Sequence, residues 1–419
     1  MYCLVDATSF YASAEKVFDP SIRNKPVVVL TNNDGCICAV CPIAKQLNIP
    51  KFTPYFKIKD LLHKQGVVIR SSNYELYADL SERMMNVISR YGDNQHIYSI
   101  DEAFLYFDGF NSVVDNWYDY GHQIRTAIWQ ETRLPVGVGF GKTATLSKAA
   151  NHASKKITGF DGVAVIDDKA SADHILKQMA ASEVWGVGHR IAKKLQAQNI
   201  HTAYDLANLN PKTIRQQFSV VSERTVNELN GLSCLSWDEV KEPKKEIFST
   251  RSFGQRITDF HTLKAALSSH AVIVGRKLRK QKSLVKKLIV FASNSPHDNG
   301  HYYKHTMIYT FPVPTDNSSQ IAEAVNLLLP HIFQPGVLFY RCGVGATELV
   351  SQKFKQGDMF LPESNNPALM ACFDKINHRY GRDAITLASA GQTEKWNMKR
   401  NFLSPQYTTN WQHIPKIRC

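Results

Sequence analysis

Two short acidic segments, each ending an apolar run, constrain this chain more than anything else in it. Asp6 closes the run Tyr2-Cys3-Leu4-Val5, and Asp101-Glu102 sit within Tyr98-Ser99-Ile100-Asp101-Glu102-Ala103. A short apolar run that stops at a charge reads as a buried strand reaching solvent. Carboxylates converging at such strand ends supply the oxygen ligands that hard divalent cations take. Two such cations about 3.5–4 Å apart clamp the attacking and leaving oxygens of a phosphoryl transfer. Spacing alone leaves a second reading open, an ordinary acidic hairpin tip beside an unrelated Asp6. Side chains alternate along a regular strand, so Asp101 and Glu102 share a site only if the strand ends there in a turn or bulge. Asp6 and Asp101 are then the expected bridging ligands and Glu102 the side-on one.

The surrounding pattern is α/β. Strands are expected at Tyr2–Val5, Pro26–Leu30, Ile97–Ile100, Phe104–Phe107 and Val136–Phe140. Helices are expected at Ser9–Phe18, Asn73–Arg90, Trp117–Glu131 and Thr143–Lys156. Asn32-Asn33-Asp34-Gly35 is a turn cluster that suits a hairpin. A helical, strand-poor stretch follows from about 170 to 232, and Lys241–Glu246 with Pro243 reads as a linker. From 247 to 347 the order is strand, long helix, strand, strand, helix, strand, with helices at His261–Lys280 and Ser318–Phe333. Residues 350–419 are weakly periodic and read as a partly structured tail. At 419 residues the chain is long enough for roughly three domains of about 150 residues.

Charge is unevenly placed. The chain carries +13, yet residues 241–290 hold 13 Lys and Arg against 3 acids, which is +10 and leaves +3 for the rest. A basic block interleaved with apolar residues, as in Val272-Ile273-Val274-Gly275-Arg276-Lys277-Leu278-Arg279-Lys280, fits a face that meets a polyanion. No apolar run approaches the ~18 residues of a membrane span. The start has no basic leader, so the cytoplasm is the expected compartment. The cysteines are expected to be reduced. Cys36, Cys38 and Cys41 lack a nearby fourth ligand and read as structural rather than zinc-binding.

Two glycine strings invite a phosphate reading. Gly137-Val138-Gly139-Phe140-Gly141-Lys142-Thr143 fails as a Walker A loop because Val136 stands where the first Gly belongs. It also fails G-x-G-x-x-G, with Lys142 in place of the last Gly. Gly186-Val187-Gly188 before a helix from His189 to Gln198 offers backbone N–H groups to a phosphate, or simply makes a tight helix–helix turn.

Taken in order, several strings resemble the Y-family (lesion-bypass) DNA polymerases. They are Asp6 with Phe10-Tyr11-Ala12-Ser13, then Ser99-Ile100-Asp101-Glu102-Ala103, Val138-Gly139 with Lys148, and Trp185-Gly186-Val187-Gly188. Others are similar to the UmuC-type subgroup: Lys25–Leu30, Asn32–Cys36, Ser71–Asp79, Arg251-Ser252-Phe253-Gly254, and Trp396–Arg400 with Leu403-Ser404-Pro405.

The resemblance implies an α+β multidomain, right-hand polymerase. Residues 1–168 would form a ferredoxin-like palm with small fingers inserted at about 20–75. Residues 169–235 would be a helical thumb with a helix-hairpin-helix-like turn, 244–349 an α+β little finger, and 350–419 a C-terminal tail. Asp6, Asp101 and Glu102 would hold two Mg²⁺ ions. Tyr11 would be the steric gate against a ribose 2′-hydroxyl, and Lys45 and Lys148 would contact the triphosphate. Gly186, Gly188, Arg251, Arg276, Lys277, Arg279 and Lys280 would grip DNA. Cys41-Pro42 departs from the polar or aromatic triphosphate contact of many relatives.

In the tail, Gln356, Met359 and Phe360 align with a sliding-clamp peptide, although Gly357 loses one apolar anchor. Implied partners are primer–template DNA, dNTPs, a processed UmuD-type dimer, a RecA filament and the β sliding clamp. The implied setting is the bacterial cytoplasm, on the nucleoid when active. The implied activity is template-directed, error-prone translesion synthesis in the SOS response. Two rivals stand beside it. A nucleotidyl cyclase would not need the basic domain, and a catalytically silent DNA- or clamp-binding scaffold would not need all three carboxylates.

Overall fold

The computed structural model describes residues 1–107, 114–235, 243–298, 300–354, 366–381, 383–391 and 398–415. The chain divides into two compact units, Met1–Glu239 with Arg400–Cys419, and Val240–Lys399.

Among its described residues the first unit carries eight strands: β1 (Tyr2–Ala7), β2 (Val27–Leu30), β3 (Ile37–Val40), β4 (Val68–Ser71), β5 (Asn94–Ile97), β6 (Glu102–Tyr106), β7 (Val136–Gly141) and β8 (Val163–Ile166). The main sheet runs β5-β6-β1-β7-β8. β1 lies at its centre, antiparallel to β6 and β7, and the register sets Asp6 opposite Glu102 on one side and Gly137 on the other.

Alternation along β7 explains the glycine string. Val138 and Phe140 join the core under the helix Trp117–Thr132, and the Phe140 ring lies 5.2 Å from that of Trp117. Gly137, Gly139 and Gly141 face the helix Ala144–Lys156. A Cβ on Gly139 would lie 2.1 Å from the backbone nitrogen of Asn151, and one on Gly141 2.5 Å from that of Ser147. The glycines let a helix lie directly on a strand; they make no phosphate loop.

A smaller sheet, β3-β2-β4, follows the first helix, with β2 antiparallel to β3 and parallel to β4. The expected hairpin at Asn32–Gly35 is present, closed by a 3₁₀ turn in which Asn33 takes a left-handed φ of 60°. The helical stretch builds its own core from Ile175, Leu176, Leu195, Leu206 and Val226, onto which Leu146 and Ala150 also pack. Buried Glu228 ties it to the sheet layer by accepting from the backbone N–H of Thr145 at 2.9 Å. The same carboxylate accepts from Cys234 N at 2.8 Å and Leu235 N at 3.2 Å.

The tail is not one segment. Residues from Arg400 onward belong with the first unit. Phe402 pairs with the end of β4, accepting from Ser71 N at 3.0 Å and donating to Ser71 Oγ at 2.9 Å.

The second unit has the expected order. β9 (Ile247–Ile257), β10 (Ser283–Ser293), β11 (Lys304–Thr315) and β12 (Phe339–Ser351) form an antiparallel sheet ordered β11-β10-β12-β9. The helices Phe260–Gln281 and Ser318–Ile332 cover one face, burying Leu267, Val274, Leu288, Val325 and Val344. A further helix, Pro367–Tyr380, lies where weak periodicity gave no helix to expect.

Candidate active site

β6 does end where the carboxylates require. The backbone N–H groups of Tyr98 and Ser99 both donate to the Glu102 carbonyl at 3.1 Å, so Ser99–Asp101 form the turn of the β5–β6 hairpin. Asp101 is pinned there by Ala7 N–H donating to its carbonyl at 2.8 Å. Freed from strand alternation, it stands beside Glu102 at the same end of the sheet as Asp6. Burial holds the Glu102 carboxyl above the usual range, the Lys148 ammonium pulls it down, and Asp6 and Asp101 push it up again. Glu102 thus feels both neighbouring acids.

Two lysines offset that repulsion. Lys148 Nζ donates to both Glu102 oxygens at 3.1 and 3.2 Å, and Lys155 Nζ pairs with Asp6. Asp101 accepts from the Ser99 hydroxyl. The Lys148 ammonium also sits over the rings of Tyr98 at 4.4 Å, Trp185 at 4.8 Å and Phe104 at 5.6 Å. Asp6, Glu102, Lys148, His152, Glu183 and Trp185 line a cavity of about 240 Å³. Among the described residues no three His, Cys, Asp or Glu side chains are gathered as a ready-made metal site. The donor set nevertheless fits a hard divalent cation in kind, being all carboxylate oxygen. Asp6 and Glu102 now face ammonium groups, so a cation would compete with Lys155 and Lys148 for them.

Lys155 was not singled out in the sequence, though its signal was there. It lies seven residues after Lys148, two turns along the same helix, so both ammonium groups emerge on one face.

Tyr11 follows Asp6 through a sharp turn in which Ser9 is left-handed at φ 51°. Its ring stacks on Tyr77, with centroids 4.4 Å apart and planes at 14°, and meets Tyr74 edge-on at 6.4 Å. Lys45 lies on the short helix Pro42–Gln46. Burial and the neighbouring Lys51, Lys155 and Lys156 lower its pKa, which groups it with the cations around Asp6.

The glycine turn has a conformational reason at one position. Gly186 takes φ 89°, and Gly188 precedes the helix His189–Gln196 in extended form. In the second unit the expected cations divide. Lys280 and Arg251 are exposed and Arg276 is half-buried. Lys277 Nζ donates to the Phe248 carbonyl at 2.9 Å. Arg279 departs from the expectation of a DNA contact. Its guanidinium forms two bonds to Asp374 at 2.6 and 2.8 Å and donates to the Asp316 carbonyl at 2.6 Å, so it is committed inside the unit. The sheet face away from the helices carries Phe248, Lys287, Phe291 and Arg341, with Arg341 over the Phe291 ring at 5.8 Å. Those residues escaped notice because their clustering is across strands. The clamp-like Gln356, Met359 and Phe360 lie outside the described residues.

This arrangement, carboxylates at one end of a mixed sheet with lysines and the Tyr11 ring nearby, has known counterparts. Models of the impB/mucB/samB family match residues 5–152, and those of its C-terminal domain residues 244–359. A domain of unknown function matches residues 367–417. Protein UmuC of Salmonella typhimurium is 40% identical over 423 residues, covering 100% of each chain. DNA polymerase IV 1 of Bacillus subtilis is 24% identical over 409 residues, covering 94% of each. Among solved structures, a Y-family DNA polymerase chimera (Dbh-Dpo4-Dbh) superposes with a TM-score of 0.62 at 20% identity, covering 84% of this chain and 99% of that one. The fold is that of the Y-family polymerases. The chain belongs to the impB/mucB/samB family.

Proposed function

We propose that Asp6, Asp101 and Glu102 are the catalytic carboxylates of this chain and hold two Mg²⁺ ions. The chain is a DNA-directed DNA polymerase, and its synthesis is the error-prone translesion kind of the SOS response. One observation carries the assignment: register places Asp6 opposite Glu102 while a hairpin turn sets Asp101 beside them. Bound metal would lower the pKa of the primer 3′-hydroxyl and neutralise the triphosphate and the leaving pyrophosphate.

The chain's own residues do the rest. Lys45 and Lys148 present point charges to the phosphates, and the Tyr98, Phe104 and Trp185 rings around Lys148 keep its ammonium near Glu102. Tyr11 closes the space a 2′-hydroxyl would need. The glycine turn at 186–188 and the cations Arg251, Arg276, Lys277 and Lys280 hold the DNA backbone. In this reading residues 1–168 are palm with fingers, 169–235 thumb and 244–349 little finger. A processed UmuD-type dimer, RecA and the sliding clamp are the partners, the last through Gln356, Met359 and Phe360. The setting is the bacterial cytoplasm.

Asp101→Ala is the direct test. Primer extension on an abasic template, with the UmuD-type partner and RecA–ATP present, should vanish while DNA affinity stays near wild type. Retained extension removes Asp101 from the site.

A further inference from the structure

The segment from Arg400 to Tyr407, within the stretch that a domain of unknown function matches, docks at the start of the helix whose Tyr77 stacks on Tyr11. Its bonds are specific. Asn401 N–H donates to Asp34 at 2.8 Å, and Ser71 Oγ donates to the other oxygen of that buried carboxylate at 2.5 Å. Asn73 Nδ2 donates to Ser404 Oγ at 2.9 Å and to the Pro405 carbonyl at 3.4 Å. Arg400 pairs with Glu75 at 3.3 Å, Phe402 meets Tyr55 at 5.6 Å, and Tyr407 stacks on Phe18 at 5.1 Å.

Asn73 is the pivot. It is fully buried and is the N-cap of the helix Tyr74–Ile88, accepting from Leu76 N at 3.3 Å. One turn into that helix is Tyr77. Its hydroxyl donates to buried Glu15 at 2.6 Å, and its ring stacks on Tyr11. Tyr11 and Glu15 are one turn apart on their own helix, so Tyr77 clasps both at once. Burial raises the pKa of the Glu15 carboxyl, while the hydroxyls of Tyr77 and Ser404 and the Arg70 guanidinium pull it back. The tail thus bonds the cap end of the clasp at Asn73, and Ser404 lies near enough to Glu15 to lower its pKa.

We infer that residues 400–407 are a strut for sugar selection: through Asn73, Glu15 and Tyr77 they hold the Tyr11 ring in the plane that excludes a 2′-hydroxyl. The inference rests on Tyr11 being the gate. Ser404, Phe402, Asn73, Glu15 and Tyr77 are positioning residues, since none need touch the nucleotide. Tyr77, held at its hydroxyl by Glu15, offers the Tyr11 ring one stacking plane. Released, Tyr77 turns about its χ angles and leaves the Tyr11 ring free to swing out of the space it had closed.

The test measures kcat/KM for dNTP and rNTP incorporation by the full chain carrying Ser404→Ala, Ser404→Thr, Phe402→Ala, Tyr77→Phe or Tyr11→Ala. Ser404→Ala and Tyr77→Phe should cut dNTP-over-rNTP discrimination by about threefold to tenfold, the loss expected from one or two buried hydrogen bonds. That change should come from faster rNTP use, with dNTP kinetics near wild type. Ser404→Thr, which keeps the hydroxyl, should restore discrimination. A strut that only stabilises the fold would slow both substrates together and leave the ratio unchanged. That result, with Tyr11→Ala still losing discrimination, overturns the inference and spares the gate. If Tyr11→Ala itself leaves the ratio unchanged, the gate falls and the strut with it.

Discussion

Asp6 and Glu102 meet lysines rather than each other, and this shapes what single substitutions should do. In the proposed metal site a cation would compete with Lys155 for Asp6, so Lys155→Met should lower the Mg²⁺ concentration that gives half-maximal primer extension. The expected shift is about fivefold, corresponding to about 1 kcal/mol for a partly exposed pair. An unchanged midpoint in a Mg²⁺ titration would mean that Lys155 is not the competing cation. The place of the three acids at strand ends was legible because each closes an apolar run, although spacing alone equally allowed an ordinary acidic hairpin tip. Their counterions were not. Lys155 lies 149 residues from Asp6 along the chain, and only the register of three strands and the helix on β7 joins them. For Arg279 local reading missed a partner. Its place in a basic run suggested DNA, but its partner Asp374 lies 95 residues away and was invisible to local reading.

Elements were read well where periodicity was strong. The second unit's strand–helix–strand–strand–helix–strand order and the strands flanking the carboxylates lay close to expectation. The helix Ala144–Lys156 is the element on which the site depends, since it carries Lys148 and Lys155. It rests on bare glycines at one face and on Glu228 at its N-terminus. Gly139→Ala forces a Cβ into the Asn151 backbone and should displace that helix, lowering extension and thermal stability together. Glu228→Ala leaves three backbone N–H groups, one buried and two half-buried, without their carboxylate and should cost on the order of 3 kcal/mol in denaturant unfolding followed by tryptophan fluorescence. Glu228→Gln should recover part of it. A loss below about 1 kcal/mol would show that water replaces the carboxylate there. Neither link was legible, because a lone Glu late in a helix looks like solvated charge.

At the scale of the whole molecule, the second unit carries a pH dependence centred on one buried imidazole. His270 is buried with Nδ1 2.8 Å from the Ser249 hydroxyl, and burial, with Arg251 and Lys277, pushes its pKa down to about 4. A base depressed on folding contributes stability that is present above its ordinary pKa near 6.5 and is lost as pH falls toward 4. The full effect is at most about 3 kcal/mol. Hydrogen exchange at β9 and the helix Phe260–Gln281 should therefore quicken across that window, and His270→Gln should flatten the response. A pH-independent profile in wild type would mean that the imidazole charges without penalty. DNA affinity is a property of the same scale. Neutralising Arg276, Lys277 and Lys280 together should reduce the salt slope by about 0.9 for each lost phosphate contact. Arg279→Ala should instead destabilise the unit. A full slope in the triple variant would move the phosphate grip to the open sheet face around Lys287 and Arg341.

The return of residues from Arg400 onward to the first unit has a consequence for how the protein comes into being. Chains fold domain by domain as they are synthesised, the earlier domain first. Here the earlier domain cannot finish, because its closing segment is translated only after all of Val240–Lys399. Until then Asp34 lacks the Asn401 amide and Asn73 lacks Ser404 and Pro405. A product whose synthesis stops within the second unit would possess all three carboxylates and Tyr11 but not the segment that completes their domain.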